Sequence, residues 1–200
     1  MEEIVMLTKE RLKKLINVVR KRQKNIVLVL EDIHDPHNAG AIFRTAEAFG
    51  IQDVYLIFEK QESYNPRKIG KVSSASANKW LNFQKFDSTE KCLNELKKEK
   101  YVIMGTVLAD DCESIYDQAF TKYDKIALLI GNEHAGLSEK AISMLDKKLI
   151  IPMRGMVQSL NVSVTTAIFI YEISRQRLLE GKKFLKDKKE QEALLKVLKI

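Results

Sequence analysis

The sequence predicts an α/β protein: a parallel sheet with helices on both faces and a helical arm at each end. Three observations carry the prediction. Short runs that are apolar at every position recur along the 200 residues, amphipathic segments of helical period lie between several of them, and the excess basic residues collect at the two ends. A strand that is apolar throughout suits burial on both faces, the usual condition of a parallel sheet.

The elements follow in order. Leu12, Leu15, Ile16 and Val19 recur at helical spacing, with Arg11, Lys13, Lys14, Arg20, Lys21 and Arg22 around them, which is the pattern of a basic amphipathic helix. Ile26–Leu30 reads as the first buried strand, and Val54–Phe58, Tyr101–Val107, Ile126–Ile130 and Leu149–Ile151 repeat its character. Helical periods fall at Ala41–Phe49, Thr89–Lys98 and Ser138–Leu145. Val162–Leu179 is a long helix, Gly181 breaks it, and Glu190–Ile200 adds a short amphipathic segment. The expected organisation is a basic helical arm over residues 1–25, one domain over 26–173 and a second basic helical arm over 174–200.

Composition narrows the class. A hydrophobic fraction of 45% with 30% charged residues is that of a globular chain able to bury a core. No apolar run approaches the ~20 residues of a bilayer span. The opening MEEIVMLTKE lacks the basic-then-apolar order of a signal peptide. Cys92 and Cys112 stand apart, without CxxC spacing or a nearby His, so neither a zinc site nor a disulfide framework is expected, and the setting is a reducing cytoplasm. The net charge of +7 divides unevenly: residues 1–25 carry +5, residues 174–200 carry +5, and the 148 residues between carry −3. That asymmetry points to a near-neutral core with basic arms for a polyanion such as nucleic acid; two solvated Lys-rich helices are the plainer alternative.

Ligands of a parallel sheet bind where its strands end and loops lead into helices. Three such loops are chemically unusual: EDIHDPHNAGAIFRTAEAFG after the first strand, IGNEHAGLSE after Ile126–Ile130, and IIPMRGMVQSLNVSV before the long helix. A dinucleotide fingerprint is excluded, because no two of the eight glycines stand two residues apart. Gly131 and Gly136 have the outer spacing of a P-loop, but Leu137-Ser138 follows where Lys-Ser/Thr is needed, and Glu133 would repel a triphosphate. Glycine loops without phosphate donors suit a ligand held by backbone amides and carbonyls, such as adenosine. His34, His37 and His134 lack a third ligand at metal spacing and read as polar loop residues. By themselves Asn38, Ser159 and Asn161 read as helix caps or turn residues, Arg44 as a surface arginine, and Ile151 and Leu160 as core.

NAGAIFRTAEAFG, LLIGNEHAGLS and IPMRGMVQSLNVSVTTAI, in that order over roughly residues 25–175, resemble the three motifs of the SpoU class of RNA ribose 2′-O-methyltransferases, within the SPOUT superfamily. The resemblance implies a deep trefoil knot, S-adenosylmethionine as cofactor, no metal, and a homodimer whose active site is shared between subunits. It implies that Asn38, Arg44, Glu133, Ser159 and Asn161 form the catalytic set, and that Thr106, Gly131, Ile151 and Leu160 contact the cofactor. Arg44 would be central. Because a guanidinium stays protonated, its physical role is better read as a fork on the RNA phosphate that stabilises a developing 2′-alkoxide than as a general base. The basic arm ahead of the first motif, and VSSASANKW ending at Trp80, resemble the branch that methylates a guanosine in the tRNA D-loop. Arg11, Arg20, Lys21 and Arg22 are then the expected RNA contacts. A ribosomal RNA enzyme of the same class and an inactive knotted RNA-binding protein are the alternatives. The intact catalytic set counts against the second. The roughly 25 residues before the first strand, too few for a separate RNA-binding domain, count against the first. Met153 and Met156 are expected to pack, the thioethers suiting an adaptable pocket wall, and Trp80 to lie in the core or at a dimer contact.

Overall fold

The computed structural model describes residues 8–69, 74 and 77–197, so part of the VSSASANKW stretch and the last three residues of the expected Glu190–Ile200 segment lie outside it. Helix α1 (Lys9–Arg20) begins at Thr8, whose hydroxyl accepts from the Arg11 N–H. Strand β1 (Ile26–Glu31) is buried at all six positions, and β6 (Ile126–Ile130) at all five. Around them lie β2 (Asp53–Ile57), β3 (Asn82–Phe86), β4 (Val102–Thr106), β5 (Glu113–Ser114) and β7 (Lys147–Ile150). The seven form one sheet in the order β3-β2-β1-β6-β4-β7-β5, and every pairing is parallel.

The fully apolar runs are the inner strands, as expected. The two strands missed from the sequence are those that need little burial. Among the described residues β3 has β2 as its only neighbour and exposes Asn82 and Lys85, while β5 is two residues long.

Helices cover both faces. On one, α2 (Pro36–Ala48) packs on α5 (Val162–Leu179), and Ile42, Phe43, Phe169, Ile170 and Ile173 close over Leu28, Leu30, Leu128 and Ile130. On the other, α3 (Thr89–Lys98) packs on α4 (Glu139–Ser143), and Leu93, Leu96 and Ala141 close over Val27, Val29, Ala127 and Leu129. Alternate residues of one strand thus serve two cores. Truncating Phe43 or Phe169, both with no exposed surface, costs about 3–5 kcal/mol.

α2 begins at Pro36 rather than Ala41. Asp35 caps it by accepting the His37 N–H at 2.8 Å, and Pro36 occupies the first turn, where its missing N–H costs nothing. The earlier start moves Arg44 from one helical turn past the loop to more than two.

The two arms are tied together. Helix α6 (Lys188–Val197) packs on α1, Gln23 and Leu185 form an antiparallel bridge, the Lys24 N–H donates to the Phe184 carbonyl at 2.9 Å, and the Lys186 N–H donates to the Arg22 carbonyl at 3.0 Å. The boundary expected at residue 174 falls inside α5, where Ser174 and Arg177 are buried.

Candidate active site

The loop after β6 is built to present one carboxylate. Asn132 and Gly136 exchange both backbone hydrogen bonds at 3.0 Å, and the Asn132 side-chain oxygen accepts from the N–H groups of His134 and Ala135. The same amide donates to the Asp32 carbonyl at 2.8 Å, fastening this loop to the one after β1. Gly136 sits at φ +68°, and Gly131 lies so close to the backbone of Gly136 and Leu137 that a Cβ would press into their main-chain atoms. Glycine is therefore needed at 131 for close approach and at 136 for handedness.

Glu133 leaves this loop and accepts three hydrogen bonds at 3.1 Å, from the N–H groups of His34 and Asp35 and from the Asn38 side-chain amide. Burial pushes its carboxyl pKa up, but the hydrogen bonds from its own backbone, His34, Asn38 and Asp35 outweigh burial and hold it below the ordinary value. The Asn38 oxygen in turn accepts from the Asn161 amide at 3.0 Å. Asn161 caps α5: its oxygen accepts from the Ser163 N–H at 2.8 Å and from the Ser163 hydroxyl at 2.6 Å. A backbone donor at one end and an ionised carboxylate at the other fix the orientation of both amides. The resulting chain, Ser163 to Asn161 to Asn38 to Glu133, joins the three unusual loops in one network. Asn161 is both cap and site residue.

Beside this chain runs a cleft at the carboxyl edge of the sheet. All four residues expected to touch the cofactor line it: Thr106 at the end of β4, Gly131 after β6, Ile151 after β7, and Leu160 before α5. Ile151 and Leu160 are half-buried cleft walls rather than core. A second, adjoining hollow is lined by Asn38, Asn161, His34 and Asp35, and shares Glu133, His134, Ser159, Leu160 and Val162 with the first. The structure therefore brings together Asn38, Glu133, Ser159 and Asn161. Arg44 is exposed on α2, lines neither hollow and pairs with no carboxylate among the described residues.

Arg11, Arg20 and Lys21 are exposed on the first arm, as expected of RNA contacts. Arg22 corrects the reading. It is 3% exposed, and its guanidinium donates to the Glu47 carboxylate at 3.1 Å and the Glu47 carbonyl at 3.3 Å, which leaves no face for a phosphate. Met153 lines the cleft, but Met156 is fully exposed and Trp80 half-exposed, so neither of the latter belongs to the core. Sequence reasoning passed over His34 and His134 as lining residues, and Ser163 and Gln61 altogether; Gln61 meets the His34 ring at 2.9 Å. Only the DPHN and NEH neighbourhoods could have flagged the histidines. Among the described residues no group of three His, Cys, Asp or Glu side chains could hold a metal, and no helix is long and apolar enough to cross a membrane.

Fold and cleft together define a class: α/β proteins with a ligand-sized cleft at the carboxyl edge of a parallel sheet and no phosphate loop. The chain belongs to the SpoU rRNA Methylase family, whose sequence model matches residues 25–171. It is 35% identical over 199 residues to the tRNA (guanosine(18)-2′-O)-methyltransferase of Aquifex aeolicus, covering 100% of this chain and 90% of that protein. The crystal structure of the A. aeolicus TrmH/SpoU tRNA modifying enzyme superposes with a TM-score of 0.81 at 34% identity, over 94% of this chain and 93% of that one. The SpoU methyltransferase AviRb from Streptomyces viridochromogenes, solved in complex with the cofactor AdoMet, superposes with a TM-score of 0.68 at 27% identity, over 82% and 64% of the two chains.

Proposed function

We propose that this protein transfers a methyl group from S-adenosylmethionine to the ribose 2′-hydroxyl of a guanosine in the D-loop of tRNA, acting in the cytoplasm as a homodimer. The observation that carries the reading is the junction of two hollows: a cleft of backbone edges meets the Asn161–Asn38–Glu133 chain at Ser159 and Leu160. The relative that the chain matches over 100% of its length is named for this reaction.

The cleft fits the cofactor. Gly131 is packed without room for a side chain, Thr106 and Ser159 offer hydroxyls, and Ile151, Met153 and Leu160 offer apolar walls, a mixture suited to an adenosine and a thioether. When bound, S-adenosylmethionine would supply an activated methyl group that passes to the ribose oxygen, its sulfonium becoming a neutral thioether as the bond to carbon breaks. The protein's task is alignment and electrostatics. Asn38 and Asn161, locked in one orientation, would present their remaining N–H groups to the hollow where the ribose sits. Glu133, its oxygens accepting from His34, Asp35 and Asn38, holds the loop after β1 in register, and the 2′-hydroxyl's proton is released to solvent as its oxygen bonds the methyl group. Arg44 would supply the complementary positive fork, stabilising the oxygen as charge develops.

In one chain Arg44 does not reach the hollow, and this supports a site shared between two copies. Val164, Tyr171 and Leu178 are exposed at seven-residue intervals on α5, and Phe49 at the end of α2 stacks edge-on against Tyr171 at 6.3 Å. That apolar stripe flanks the Arg44 helix and is the proposed contact between copies. The loop over residues 151–161 is read as the threaded segment of a trefoil knot, in keeping with the family match.

Incubation with total RNA and labelled cofactor, followed by mapping of 2′-O-methylation, tests the activity. A single labelled D-loop guanosine is expected; label only in ribosomal RNA, or none, would overturn the reading. Arg44→Ala should lower kcat about 10²–10³-fold while cofactor binding persists. Mixing Arg44→Ala with Asn161→Ala subunits should restore activity, because each mixed dimer contains one undamaged site. Exchanged mixtures that stay inactive would refute sharing.

A further inference from the structure

The largest fully buried side chain among the described residues is an arginine, and it stands outside both hollows. Arg177, on the last turn of α5, is 2% exposed. It donates to the Lys24 carbonyl at 3.0 Å, the Asn25 carbonyl at 3.2 Å and the Asp124 carbonyl at 3.4 Å, and the guanidinium lies 4.4 Å from the centre of the Phe184 ring. Its Nε–H has no partner. Burial pulls its pKa down to about 10, against the opposing pull of Asp124 and Tyr101. A cation so placed costs more than a methionine or leucine of similar volume would if support for the core were all that was required.

What Arg177 touches explains its position. Lys24 and Asn25 are the exit of the first basic arm into β1, and Phe184 is the start of the second arm beyond α5. Two backbone hydrogen bonds between the arms, Lys24 N–H to Phe184 and Lys186 N–H to Arg22, lie directly beside the guanidinium's own partners. Gln23 adds a strut, donating to the Phe49 carbonyl and the Ser174 hydroxyl, both at 2.8 Å. The exposed cations of α1 and those around α6 thereby belong to one pinned unit.

We propose that Arg177 is a positioning residue for RNA binding: it locks the two basic arms to each other and to the sheet, so that they act as one phosphate-binding platform. The proposal rests on the reading that the arms bind RNA. Each arm meets the guanidinium where it leaves the domain, the first at the Lys24 and Asn25 carbonyls and the second at the Phe184 ring, so the placing of both depends on it. A lysine would not replace it, since one ammonium on a flexible stem cannot span three carbonyls and stack on a ring.

The test compares Arg177→Met, Arg177→Lys and Phe184→Leu with a double variant, Arg20→Ala with Lys21→Ala, measuring KM for a tRNA transcript, kcat, and cofactor affinity by calorimetry. Arg177→Met should raise the tRNA KM at least as much as the double variant, about tenfold or more, while kcat and cofactor affinity stay within about twofold. Arg177→Lys should be intermediate, and Phe184→Leu, which keeps the fork and removes only its platform, should show the same KM-selective defect in milder form. Hydrogen exchange at the Lys24 and Lys186 amides should accelerate in the same rank order. A folded Arg177→Met or Phe184→Leu protein with unchanged tRNA KM would overturn the proposal, as would equal losses in kcat and cofactor affinity, the sign of general destabilisation. If the double variant itself leaves KM unchanged, it is the RNA-binding role of the arms that fails.

Discussion

Glu133 and Gly131 stand two residues apart and answer to different physics. Glu133 has a depressed folded pKa, so its stabilising contribution is complete above the ordinary glutamate value of about 4.3 and is lost as pH falls through the lower folded value. Glu133→Gln should therefore lower the melting temperature at neutral pH and narrow the gap from the parent in acid; parallel melting curves down to about pH 3 would contradict the three hydrogen bonds assigned to it. Gly131→Ala has no such pH signature. Its methyl group would press into main-chain atoms of Gly136 and Leu137, which do not move independently of the loop. Cofactor affinity should fall about tenfold or more, read by calorimetry, and an unaltered affinity would show that the loop can shift at little cost. Both roles were only partly legible in the sequence. The motif resemblance located Asn38, Glu133 and Asn161, but Ser163 came to light only through the hydrogen bond it gives to Asn161. Arg22 was misread because its neighbours Arg20 and Lys21 are exposed, and helical spacing says nothing of Glu47, 25 residues away.

At the scale of elements, α2 and α5 share one task, to bury the sheet on one side while presenting Arg44 and an apolar stripe on the other. The inner strands and the bounds of α3 and α5 were legible because burial on both faces, or a clear helical period, leaves a compositional trace. β3 was not, since an edge strand with one neighbour can expose Asn82 and Lys85. The start of α2 was legible in principle, as Asp-Pro is a cap followed by a first-turn proline. The order of strands was not, because it depends on which loops cross which, and periodicity carries no such record. If the stripe of α5 joins two copies, Tyr171→Glu would bury a carboxylate in that contact. The variant should sediment as a monomer, keep its cofactor cleft and lose most methyl transfer; a dimeric, active Tyr171→Glu protein would place the interface elsewhere.

For the molecule as a whole, charge is segregated from the site. The middle 148 residues carry −3 and each end +5, so on the proposed function long-range attraction for RNA would reside in the arms and alignment of the ribose in the core. Removing Arg20 and Lys21 together should flatten the log–log salt dependence of tRNA binding by about 1.4–1.8 units, at about 0.7–0.9 per lost phosphate contact, without altering cofactor affinity. An unchanged slope would mean that these cations contact no phosphate. The charge division was visible in the sequence; that two of the counted cations, Arg22 and Arg177, are interior was not, since both read as members of basic runs.

The sheet order has a consequence during synthesis. β1 stands between β2 and β6, with Val27 opposite Asp53 but Ile26 opposite Ile126. One edge of this strand, apolar from Ile26 to Leu30, can be matched soon after it leaves the ribosome, whereas the other must wait for about 100 more residues to be made. At about 5–20 residues per second, that interval is roughly 5–20 s. For that time the nascent protein carries an unpaired, greasy strand at what will become the middle of the molecule, open to annealing with a neighbouring polysome product. The residues that finally seal it, Ile126 to Ile130, lead directly into the loop that carries Glu133, so a newborn chain brings that carboxylate to the loop after β1 at the same step that ends its exposure to aggregation and to chaperone capture.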